Sequence, residues 1–73
     1  MSELVTIKTF WKVEEAYMAA SFLESEGINT AIQNEHLVQI YSLLANAVGG
    51  VALQVPEEDA PRAIELLQNP SSV

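Results

Sequence analysis

From His36 to Pro56 the chain carries no charged side chain, counting histidine as neutral. The run is 21 residues long, nominally enough to cross a bilayer. Its content excludes that fold. Gln39, Ser42, Asn46 and Gln54 would each place a polar side chain in hydrocarbon, and Gly49-Gly50 divides the run in two. Its flanks are Glu35 on one side and Glu57-Glu58-Asp59 on the other, so no basic residue is placed to anchor a span. The run predicts instead a buried helix, a glycine turn and a buried strand.

The rest of the composition narrows the function classes. With 73 residues there is room for one domain, expected to be ordered over about 3–68 with a frayed tail at 69–73. Ten Asp/Glu against three Lys/Arg give a net charge of −7. Three cations cannot neutralise a useful number of phosphates, which argues against nucleic acid and against an anionic lipid surface. With no cysteine there is no disulfide, no thiolate metal site and no thiol nucleophile. Met1-Ser2-Glu3 runs into an apolar segment without a basic leader, so a cytoplasmic location and no membrane attachment are the expectation. At 49% hydrophobic and 18% charged residues, the composition is that of a folded chain.

Leu4–Phe10 alternates as a strand, with Val5, Ile7 and Thr9 on one face and Leu4, Thr6, Lys8 and Phe10 on the other. Residues 12–26 read as a helix with Val13, Ala16, Tyr17, Ala20 and Leu23 on one stripe and Gly27 as its left-handed cap. Met18 and Phe22 fall outside that stripe and need cover from something other than the sheet. Residues 28–34 read as a second strand with Ile28, Thr30 and Ile32 inward. Leu37–Val48 reads as a broadly apolar helix with a thin stripe of Gln39, Ser42 and Asn46. Val51–Val55 is the third strand. Residues 56–61 open a last helix, with acidic caps at its start and Ala63, Ile64, Leu66 and Leu67 as its apolar face, ending near Gln68.

The order is β-α-β-α-β-α, an α+β two-layer sandwich. It resembles a ferredoxin-like fold lacking its fourth strand. The third strand then lies between the first two and antiparallel to both, giving a sheet of order 1-3-2. Two helices lie on one face, and an extra apolar helix joins strands two and three.

Candidate chemistry is sparse. His36 has no cysteine or second histidine to share a metal, and Glu57-Glu58-Asp59 is accounted for by helix-start electrostatics. No serine sits in a nucleophile elbow. The reading is therefore no catalytic residue, no metal and no cofactor. Trp11 closes the first strand, Asn34, Glu35 and His36 close the second, and Gly49 and Gly50 enter the third. All six share one edge of the domain, where they form either a site for a small ligand or a partner segment, or ordinary loop polarity around a partly buried Trp.

The segment AYMAASFLESEG from Ala16 to Gly27, the Asn34-Glu35-His36 triplet, and Gly49-Gly50-Val51-Ala52-Leu53-Gln54-Val55-Pro56-Glu57-Glu58-Asp59-Ala60 together resemble small bacterial domains grouped as putative prokaryotic signal-transducing proteins. The resemblance runs over about residues 4–68. It implies a ferredoxin-like fold akin to the PII signalling proteins in a bacterial cytoplasmic protein, and it carries over no catalytic residue.

The functional expectation is a non-enzymatic regulatory or signal-transduction-like module acting through protein–protein contact. The alternative is a small-ligand sensor at the edge formed by Trp11, Asn34, Glu35 and His36. A homodimer is expected, because the first strand has a neighbour on one side only and a chain this small cannot bury Leu37–Val48 together with Met18 and Phe22. Ile40, Tyr41, Leu43 and Leu44 should lead its interface, with Met18 and Phe22 contributing.

Overall fold

The alternation at the N-terminus forms strand β1 (Leu4–Phe10), followed by helix α1 (Val13–Ser25) and strand β2 (Ala31–Gln33). Strand β3 (Val51–Pro56) leads through a 3-10 turn at Glu57–Asp59 into helix α2 (Ala60–Gln68). A computed structural model describes residues 3–34 and 49–69. The expected helix at Leu37–Val48 and the tail beyond Asn69 lie outside the described residues. The sheet has the order β1-β3-β2, and β3 is antiparallel to both neighbours, as the element order predicts.

β3 is the axis of the core. Val51, Leu53 and Val55 are fully buried, and both helices approach them through alanines: Ala16 and Ala20 from α1, Ala63 from α2. A methyl at these positions lets helix backbone sit close to the sheet. Leu23 and Ile28 complete the cluster, with Phe22, Ile32, Leu66 and Leu67 packed around it. Tyr17 and Ile64, expected inward, are half-exposed. Ala16, Ala20 and Leu23 take the buried face of α1, which leaves Tyr17 at its side, and Ala63 with Leu66 and Leu67 takes the inner face of α2.

β1 departs from simple alternation. Its register with β3 slips between Thr6 and Lys8, so that Ile7 is an extra residue in the ladder. Val5 faces Val55 and Thr6 faces Gln54, whose Nε2 donates to Thr6 Oγ1 at 3.0 Å. Beyond the bulge Thr9 faces Ala52 and Phe10 faces Val51. One added residue reverses which face each later side chain takes. Phe10 therefore joins Ile7 in the core while Thr9 is exposed, the reverse of strict alternation.

β2 is shorter than expected for a related reason. The Ile28 N–H donates to the Leu23 carbonyl at 3.0 Å and the Gly27 N–H to that of Glu24 at 3.0 Å. This is a Schellman cap, with Gly27 at φ 85° and Ile28 packed in the same cluster as Leu23. Ile28 thus ends the helix rather than starting the strand. Thr30 Oγ1 donates to Glu24 Oε2 at 2.7 Å, again tying the linker to α1. Arg62 of α2 adds a brace: its Nη1 donates to the Glu26 carbonyl at 3.1 Å, at the helix end where a cation is favoured. At the start of α2 the acidic residues form the 3-10 turn and make no side-chain capping bond; their contribution there is charge at the positive end of the helix.

Two predictions follow from this packing. Leu53→Ala removes the centre of the core and should lower unfolding free energy by about 2–5 kcal/mol in urea titration; a loss below about 1 kcal/mol would contradict the packing. Gly50 has φ 85°, and a Cβ there would lie 2.6 Å from the Phe10 carbonyl oxygen, whereas a Cβ on Gly49 meets nothing within 4 Å. Gly50→Ala should therefore cost well over the roughly 1–2 kcal/mol of left-handed strain alone, and Gly49→Ala only that strain. Equal losses in the two variants would mean that the Gly50–Phe10 approach is not present.

Candidate functional site

Trp11 and Lys12 form the short link from β1 to α1. Lys12 is the residue before the helix and is extended, with φ −118° and ψ 137° and no side-chain cap. This turn leaves Trp11 62% exposed. On the first turns of α1, Glu15 and Met18 are three residues apart and so lie on one helix face. Met18 is 73% exposed. Together with Lys8, Thr9 and Phe10 these residues line an open groove of about 390 Å³ at the C-terminal end of β1. Lys8 Nζ stands 5.4 Å from the centre of the Phe10 ring, a cation–π distance that holds the ammonium beside the groove.

The groove exists because α2 is shorter than the strand it runs beside. Nine helical residues reach about 13 Å, whereas the seven residues of β1 span about 23 Å. α2 starts near the Leu4 end, where the Glu57 N–H donates to the Glu3 carbonyl at 2.8 Å. Its last turn reaches only the middle of β1, where Leu67 and Gln68 line a small recess with Ile7 and Lys8. Phe22, four residues beyond Met18 on the same ridge, is packed against the core. Of the two residues expected to need outside cover, Phe22 finds it within the chain and Met18 is left on the surface.

The six residues expected at one edge are only partly brought together. Gly50 is buried against the Phe10 backbone and Gly49 precedes it in the turn, so both serve the entry into β3 beside the Trp11 end of β1. Asn34 closes β2 in the left-handed conformation, φ 70°. It lies at the same end of the sheet as Trp11, but β3 stands between them. Two strand spacings, about 9.6 Å, separate their strands, and Asn34 does not line the Trp11 groove. Glu35 and His36 lie outside the described residues, as do Ile40, Tyr41, Leu43 and Leu44. Lys8, Phe10, Glu15 and Met18 were not foreseen as neighbours of Trp11. The spacing of Glu15 and Met18 and the short reach of the last helix were the available signals.

A second recess, about 250 Å³, lies between α1 and β2 and is lined by Tyr17, Ser21, Glu24, Thr30 and Ile32 among others. Among the described residues no group of three or more His, Cys, Asp and Glu is placed to hold a metal, and no helix is long and apolar enough to cross a membrane.

Comparison with known proteins adds one finding. No curated protein and no solved structure matches the chain. A family model described as putative prokaryotic signal transducing protein matches residues 1–70, nearly the whole sequence and with it every element of the fold above. The chain belongs to that family.

Proposed function

We propose that this chain is a non-enzymatic regulatory module that acts by docking another polypeptide at the Trp11 end of β1. The observation that supports this reading most is the pairing of Trp11 and Met18. Two large apolar side chains stand mostly in solvent beside each other, lining a groove next to a strand with no neighbour on its outer side among the described residues. Isolated exposed apolar residues are ordinary, but a Trp and a Met sharing one groove make the kind of patch that marks an interface. Trp is also the residue type most enriched at binding hot spots. The family description is in keeping with a signalling role. The ligand-sensor reading has less geometric support, because Trp11 and Asn34 are divided by the central strand.

Residues kept for docking contribute little to the isolated fold. The double variant Trp11→Ala, Met18→Ser should therefore keep its unfolding free energy within about 0.5 kcal/mol of the parent chain in urea titration. A loss of about 2 kcal/mol or more would make the pair part of the core and contradict the reading. The sensor alternative is checked by thermal unfolding in the presence of a metabolite panel, followed through the emission of Trp11. No compound should raise the melting temperature, since only a ligand of the native state does so. A saturable rise with a change in Trp11 emission would replace docking by small-molecule sensing.

A further inference from the structure

We draw no further inference here: the strongest candidate, the open groove that Lys8, Phe10, Trp11, Glu15 and Met18 line beside the outer edge of β1, belongs to the site already described, and nothing in the structure shows what covers it.

Discussion

The backbone of Gly50 lies so close to the Phe10 carbonyl that no side chain fits between them. This approach admits β3 into the slot between β1 and β2, and the rest of the fold depends on that insertion. With β3 central, Leu53 has a strand on either side, and Val51, Leu53 and Val55 are all fully buried, so that the buried apolar surface is organised around one strand. Glycine is required twice over, for the positive φ and for the absent Cβ. The same contact ties the start of β3 to the end of β1, so the loop carrying Trp11 springs from a fixed point.

Several features of the fold were legible in the residues because they depend on local chemistry. Alternation marked β1 and β3, the alanine and leucine spacing marked α1, and Gly27 marked its end. The order of elements was enough to place β3 in the middle. What was not legible depended on events between elements. Nothing in LVTIKTF announces a bulge at Ile7, because the bulge arises from matching this strand to β3 and to the helices above it. Its effect is to send Phe10 inward and Thr9 outward. β2 begins late because the Ile28 N–H is committed to the helix cap, a competition visible only once the cap geometry is known. Ile64 points further outward than its neighbours in sequence suggest because Ala63 takes the contact with the sheet.

The candidate site shows the same division. Trp11 was legible as the residue of interest because its position at a strand–helix joint leaves it little to pack against. Its neighbours were not. The parallel course of β1 and β2 suggested Asn34, but the strand inserted between them sets the two apart. The actual neighbours come from the face that Glu15 and Met18 share on α1 and from the end of α2 halfway along β1. A groove made by one helix being too short is a property of relative lengths, which no single segment contains. Its chemistry is modest: two aromatic rings, a thioether, one ammonium and one carboxylate among the described residues.

Among the described residues no strand lies beyond β1, and the docking proposed above requires that outer edge to be open in the isolated protein. Amide hydrogen exchange of the chain alone, at low micromolar concentration, tests this most directly. Amides of Ala52, Leu53 and Gln54, the part of β3 with a strand on either side, should exchange only through global unfolding, while the outward-facing amides of β1 past Ile7 should exchange orders of magnitude faster. Protection of every β1 amide to the level of β3 would show that the edge is already covered in the free chain, and the account would be contradicted.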